Sequence, residues 1–358
     1  MDSLSQIVLG GALAAAIAPR GHRRAALLAG AALGTLPDLD SLLLVALTDD
    51  PVTLMTVHRS FSHSLLVLPL LGTLLWWLFK RFGNGRVAQA PRRWWWAIVL
   101  ALVTHPMLDA FTVYGTQLWW PLPVPPSVWG GVFIIDPLYT LPLLAGCLLA
   151  WWARARPLAQ RALVAGLALS TAYLGWSLLA KGLVEQRARA DLAAQGISDV
   201  RLLAAAQPFT TLLWRVVAVD AQGYLVGDRS LVADRGPMAF TRHASDTAAL
   251  AANAQLPAVQ RLAWFNGGLM RARVVDGELV LSDLRMGLEP DYTFNFAVAR
   301  LADGQWQPMA PQQRRPDYRS PGARAEAGRR LAALWHRIWT PAPAADGGAG
   351  APAPARAQ

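Results

Sequence analysis

The chain of 358 residues has a single cysteine, Cys147, set in an apolar run. That excludes an intrachain disulfide framework and leaves the thiol a packing role. A Gly-rich phosphate loop, a His-Glu-x-x-His helix and a Gly-x-Ser-x-Gly elbow are all missing, so the familiar soluble-enzyme signatures are absent. The opening Met1-Asp2-Ser3-Leu4-Ser5-Gln6 has no basic side chain, and the small-residue run Leu13 to Ala18 ends in Pro19. Both features argue against a cleaved signal peptide, so this segment is expected to be retained. Charge is scarce before residue 181, and the connection from Gly115 to Gly131 has none at all.

Long apolar runs are what the first half has in their place. After about Lys181 acidic and basic residues intersperse as on a soluble surface, which predicts two units. The expected fold is a membrane α-helical bundle over 1–180, a helical linker over 181–206 and a soluble α+β domain with an antiparallel sheet over 207–340. A Pro-, Ala- and Gly-rich tail over 341–358 is expected to be disordered. Candidate spans are Arg24 to Leu47, His63 to Phe79, Trp94 to Tyr114, Val132 to Trp152 and Arg161 to Ala180, about five near the ~20 residues a crossing needs. Ile7 to Ala18 is short and reads as a re-entrant or interfacial helix.

The formal net charge of +10 does not call for nucleic acid, because much of it lies in connections between apolar segments. Basic residues gather at Arg20 to Arg24, Lys80 to Arg93 and Arg154 to Arg161, which the positive-inside rule makes cytoplasmic. The uncharged, tryptophan- and proline-rich connection from Gly115 to Gly131 then belongs to the other side.

Four polar clusters interrupt or border these spans: Pro37-Asp38-Leu39-Asp40, His58-Arg59-Ser60-Phe61-Ser62-His63-Ser64, His105-Pro106-Met107-Leu108-Asp109, and Ile135-Asp136-Pro137. Ionisable side chains at membrane depth cost several kcal/mol and are usually functional. A rise of ~1.5 Å per residue puts Asp38, His63, His105, Asp109 and Asp136 about 15–25 Å from their cytoplasmic anchors. In a ~30 Å hydrocarbon core that is from the middle to the outer edge. Segments distant in sequence thus deliver acids and imidazoles to similar depths.

Imidazoles and carboxylates together suit zinc, iron or manganese and activate a bound water for hydrolysis. His105 and Asp109, four apart, share a helix face; a hydrogen bond from His105 to a neighbouring helix is the alternative. His58 and His63 fit a loop and the following first helical turn, with Arg59 placed to hold an anionic substrate or an aspartate. Pro37 permits an irregular turn that brings Asp38 and Asp40 inward, one as ligand and one to orient an imidazole; acids beside proline also start helices. Asp136 before Pro137 has the same two readings, and Asp40 and Asp136 are equal candidates for acid–base work. Tyr114, Thr116 and Gln117 could serve a substrate at the rim or anchor the interface.

Taken in order, Met1 to Gln6, Gly34-Thr35-Leu36-Pro37-Asp38-Leu39-Asp40, His58-Arg59 with His63-Ser64, His105-Pro106 with Asp109, Tyr114-Gly115-Thr116-Gln117-Leu118 and Ile135-Asp136-Pro137-Leu138-Tyr139 resemble the YdjM family of bacterial inner-membrane proteins. The resemblance covers about the first half. It implies a metal-dependent hydrolase with Asp38, Asp40, His58, His63, His105 and Asp109 at the metal site. The His105 to Asp109 element is also similar to one in zinc phospholipases C and zinc-dependent single-strand nucleases, which implies phosphoester hydrolysis. Those enzymes use an N-terminal tryptophan and more histidines than occur here, so one or two ions fit this chain better than three.

The expected protein is therefore a multi-pass enzyme of the inner membrane, its site facing the extracytoplasmic side. It would hold zinc, manganese or iron and hydrolyse an ester or phosphoester of a small-molecule, lipid or lipid-linked substrate drawn from the membrane. A metal-ion transporter and a non-catalytic membrane scaffold are the other two readings. No oligomeric state is specified. In the second half, strands are expected at Thr211 to Asp220, Tyr224 to Leu231, Gly268 to Val275, Glu278 to Asp283 and Tyr292 to Arg300. A hairpin turn is expected at Val274 to Glu278, and Asp283 is expected to pair with Arg285 at a strand end.

Overall fold

The computed structural model describes all residues except Asn84, 317–319 and 343–358. The helical unit comprises α1 (Ser3–Ile17), α2 (Arg23–Thr35), α3 (Asp40–Leu47), α4 (Pro51–Val57), α5 (Leu68–Phe82), α6 (Arg86–Gln89), α7 (Pro91–Ala110), α8 (Pro137–Ala153) and α9 (Pro157–Ala194). α1 packs against α2, α7, α8 and α9, with Val8, Leu9, Ala12, Ala14 and Ala15 buried.

Lipid offers no hydrophobic drive between helices, so close backbone approach has to hold them together. α1 and α2 meet through Gly10, Gly30 and Gly34. A Cβ on Gly30 would lie 2.2 Å from the Gly10 carbonyl oxygen, and one on Gly34 would lie 2.4 Å from that of Gln6. Gly30 and Gly34 form a Gly-x-x-x-Gly pair that the sequence reading passed over.

The expectation of five spans is corrected. Among the described residues two helical segments are long and apolar enough to cross a bilayer, Arg20–Leu47 and Pro157–Ala194, or three if Pro51–His63 and Leu68–Phe82, bent by 57°, count as one. α8 has only 17 residues and α1 only 15. α7 has Arg92 and Arg93 in its first turn and His105 and Asp109 near its last, which dilute its apolar character. The three basic connections meet at one end of the bundle. There Arg23 reaches the carbonyl of Arg154 and donates to Gln160 Oε1 at 2.7 Å, and His22 Nε2 lies 3.0 Å from Gln89 Oε1.

α9 continues unbroken past Lys181 into the second half, and the end of the expected helical linker is instead the first strand. β1 (Arg201–Ala206), β2 (Leu213–Asp220), β3 (Gly223–Ser230) and β4 (Thr241–Ala244) form one antiparallel sheet in that order. After α10 (Thr247–Ala252) and α11 (Pro257–Asn266) come β5 (Met270–Val275), β6 (Glu278–Asp283), β7 (Gly287–Leu288), β8 (Asp291–Tyr292), β9 (Asn295–Ala302) and β10 (Gln305–Gln313). A second antiparallel sheet has the order β10-β9-β6-β5, β7 pairs with β8, and α12 (Pro321–Trp339) follows. Asp276 and Gly277 both have positive φ, 50° and 74°, as the two-residue turn between β5 and β6 requires. Arg285 and Asp283 pair at 2.6 Å, both buried. The expected tail lies, beyond Ala342, outside the described residues.

The two halves share apolar cores. Val52 and Met55 of α4 pack with Val259, Leu262 and Phe265 of α11, and Ala180, Val184 and Ala188 of α9 pack with Ala204, Trp214 and Val216.

Candidate metal centre

The span containing α2 and α3 breaks at a 3-10 turn, Leu36–Leu39, where Pro37 occupies an early position. The tighter turn separates the two acids: Asp38 faces His63 and His105, and Asp40 faces His58 and Ser62. A second 3-10 turn, Phe61–His63, delivers His63, and α7 delivers His105 and Asp109 one turn apart. His63, His105 and Asp109 are fully buried.

Asp38, His63, His105 and Asp109 each point one ligand atom into a common space, all within 4.8 Å of one another. The Nε2 atoms of His63 and His105 are 3.1 Å apart. Asp109 Oδ2 lies 3.2 Å from His63 Nε2 and 3.3 Å from His105 Nε2, and Asp38 Oδ1 lies 3.4 Å from each. Ligands about 2.1 Å from a tetrahedral ion are themselves about 3.4 Å apart, so these five separations match the edges of such a site.

The proton inventory points the same way. His105 Nδ1 is 2.6 Å from the Gly34 carbonyl, which only accepts, so Nδ1 holds a proton and, in the neutral ring, Nε2 is the atom with the lone pair. The Ser62 hydroxyl donates to Asp40 Oδ2 at 2.5 Å, leaving its oxygen to accept from His63 Nδ1 at 2.9 Å. In the neutral ring His63 Nε2 is likewise the atom with the lone pair. With two carboxylate oxygens added, four electron-pair donors converge, and Asp109 Oδ2 is buried beside Arg59 Nε, its ion-pair partner. Unlike lone pairs facing one another, a divalent cation at this point would satisfy all four; the residues present fit one.

Around the four lies a supporting layer. Asp40 accepts from the Arg59 backbone N–H at 3.1 Å and pairs with His58 Nδ1 at 2.8 Å, in addition to Ser62. His58 stands beside the cluster, its ring 5.8 Å from that of His63, and the four converging ligands do not include it or Asp40. Gln6 Nε2 donates to Asp109 Oδ1 at 3.1 Å, and the Met1 amino group contacts the same oxygen. Neither contact follows from residue spacing; they depend on how α1 lies against α7.

Arg59 adopts φ 66° and is buried with its Nε 3.3 Å from Asp109 Oδ2 and its guanidinium 4.9 Å from the Tyr114 ring centre. Its Nε and Nη1 have no hydrogen-bond acceptor. Tyr114 donates to the Met55 carbonyl at 2.8 Å and Gln117 to that of Thr56 at 2.7 Å, so both brace α4. Asp136 is not among the four. It caps α8, accepting from the backbone of Leu138 and Tyr139, and receives the Tyr173 hydroxyl at 2.8 Å.

No curated protein and no solved structure matches the chain. The description "YdjM inner membrane protein" does, over residues 1–184. The match ends within α9, after all the residues of the cluster, and leaves out both sheets. Because it covers 184 of 358 residues, over half of the sequence, the chain belongs to the YdjM family of inner membrane proteins.

Proposed function

We propose that this protein is a membrane-bound, metal-dependent hydrolase with Asp38, His63, His105 and Asp109 as ligands. The observation that supports this best is the convergence of four lone pairs, with both imidazole protons turned outward onto Gly34 and Ser62. Asp38, His63, His105 and Asp109 would hold a divalent cation, zinc or alternatively manganese or iron, which when bound would supply water activation near neutral pH and polarisation of a substrate oxygen. Asp40 holds His63 through Ser62 and fixes His58 through Nδ1. His58, with 22 % of its side chain exposed, lies between the site and water.

Arg59 favours a phosphoester over a carboxyl ester. Its buried guanidinium, ion-paired with Asp109 through Nε and with Nη1 lacking a hydrogen-bond acceptor, suits an anionic oxygen more than a neutral carbonyl. The depth of the ligands in apolar helices favours a lipid or lipid-linked substrate that arrives through the membrane. The site belongs to the extracytoplasmic half of the inner membrane, because the basic connections gather at the opposite end.

The test is metal analysis of detergent-purified protein, wild type beside His63→Ala and His105→Ala, followed by hydrolysis assays on phospholipids and lipid-linked phosphates. Stoichiometric metal that both variants lose, together with cleavage in the wild type, is the expected result. Metal with uptake into vesicles and no cleavage would make the protein a transporter. No metal after reconstitution with zinc, manganese or iron would make the cluster a packing device.

A further inference from the structure

α12 has an apolar stripe that the metal centre does not use. Leu331, Trp335 and Trp339 recur every fourth residue on one helix face and remain 42, 57 and 56 % exposed. Two tryptophans and a leucine aligned in this way suit the boundary between headgroups and acyl chains better than water.

The contacts of α12 put it at that boundary. Ser230 donates to the Ile338 carbonyl at 2.6 Å, and Arg337 pairs with Asp234 at 2.5 Å, fixing the end of α12 to the end of β3. Ser230 is the register partner of Leu213, two residues after Thr211. Thr211 in turn accepts from the Trp176 indole of α9 at 3.1 Å. Trp176 lies about 28 Å along α9 from Pro157 at a rise of ~1.5 Å per residue, close to the ~30 Å of a hydrocarbon core. The end of α12 is therefore level with the point where α9 leaves the bilayer.

A second contact gives the same level. Phe209 meets Phe133, ring centres 6.0 Å apart, beside the exposed Ile134 and Ile135. Pro208, Phe209 and Leu213 line a groove of about 370 Å³ together with Leu331 and Trp335. The apolar stripe thus continues the lipid-facing surface of the helical unit. Arg329, paired with Glu326 at 2.7 Å, lies on the face of α12 turned away from the stripe, as Ala333 does.

We propose that α12 is an interfacial helix lying in the leaflet on the side of the sheet domain, with phospholipid as the occupant of the stripe and groove. The inference rests on α9 as a span and is independent of the metal. The experiment uses the full chain with Cys147→Ala and single cysteines introduced by Leu331→Cys, Trp335→Cys or Ala333→Cys, each labelled with bimane. Ala333 is exposed on the opposite face of α12 and serves as the internal control. Proteins with unchanged gel-filtration profiles are reconstituted in phosphatidylcholine–phosphatidylglycerol bilayers and quenched with doxyl lipid or aqueous iodide.

Labels at 331 and 335 should be quenched by doxyl lipid and sheltered from iodide, and the label at 333 should behave in the opposite way. Equal iodide quenching at all three positions would overturn the proposal. So would shelter from both quenchers at 331 and 335, which would show a protein surface covering the stripe.

Discussion

Tyr114 stands edge-on to Phe265, ring centres 5.6 Å apart, while Arg59 and His58 pack against the same tyrosine. Phe294 is a third aromatic neighbour at 5.9 Å. Phe265 and Phe294 lie outside the region matched to the family, so a domain beyond it supports one wall of the candidate centre. The four ligands themselves come from the helical unit.

Phe265→Ala should separate these two roles. Removing a buried phenylalanine costs about 3–5 kcal/mol, and the loss of support should loosen Tyr114 and with it Arg59. The expected outcome is a lower melting temperature and reduced hydrolysis with metal content retained. Loss of metal together with activity would show instead that the sheet domain holds the ligands.

Asp40→Asn tests the supporting layer. The amide cannot accept from Ser62, His58 and the Arg59 backbone as an ionised carboxylate does, so the proton on His63 Nδ1 is less firmly placed. Metal affinity, read by competition with a chromogenic chelator, should fall about 10–100-fold. An unchanged affinity would remove Asp40 from any role in orienting His63.

Metal removal should destabilise the helical unit, because Asp38, His63, His105 and Asp109 are brought together to bind the ion only in the folded chain. At a free metal concentration of about 100 times Kd, binding adds ~2.7 kcal/mol to stability. Chelation should lower the thermal midpoint, and zinc should restore it in the wild type but not in Asp109→Asn. A midpoint that ignores both treatments would contradict the assignment.

Asp136→Ala should behave differently from all of these. Its carboxylate caps α8, and losing such a cap costs about 0.5–2 kcal/mol. Thermal stability should drop while metal content stays at the wild-type level. Parallel loss of metal would bring Asp136 back into the centre.

The His105–Asp109 pair was legible because helical spacing puts both on one face and an imidazole after an apolar run demands a partner, and His63 because a loop and a following helical turn can present it together with His58. Which of Asp38 and Asp40 faces inward was not legible, since a 3-10 turn and an α-helical turn send the same residues in different directions. Asp136 and Asp38 share an acid-and-proline context, yet one caps a helix and the other meets two histidines; only the tertiary fold distinguishes them. The span count failed where hydropathy counted α7 and α8 as independent crossings. Gln6 and Phe265 reach the centre through contacts with residues 103 and 151 positions away, Asp109 and Tyr114, a range local pattern does not encode.

Gly34 joins two properties that are usually studied apart. Its missing side chain lets α1 lie against α2, and its carbonyl fixes the proton of His105. The same approach of α1 brings Gln6 to Asp109. Enlarging this one position would therefore alter both acid–base state and hydrogen bonding at the centre without touching any ligand.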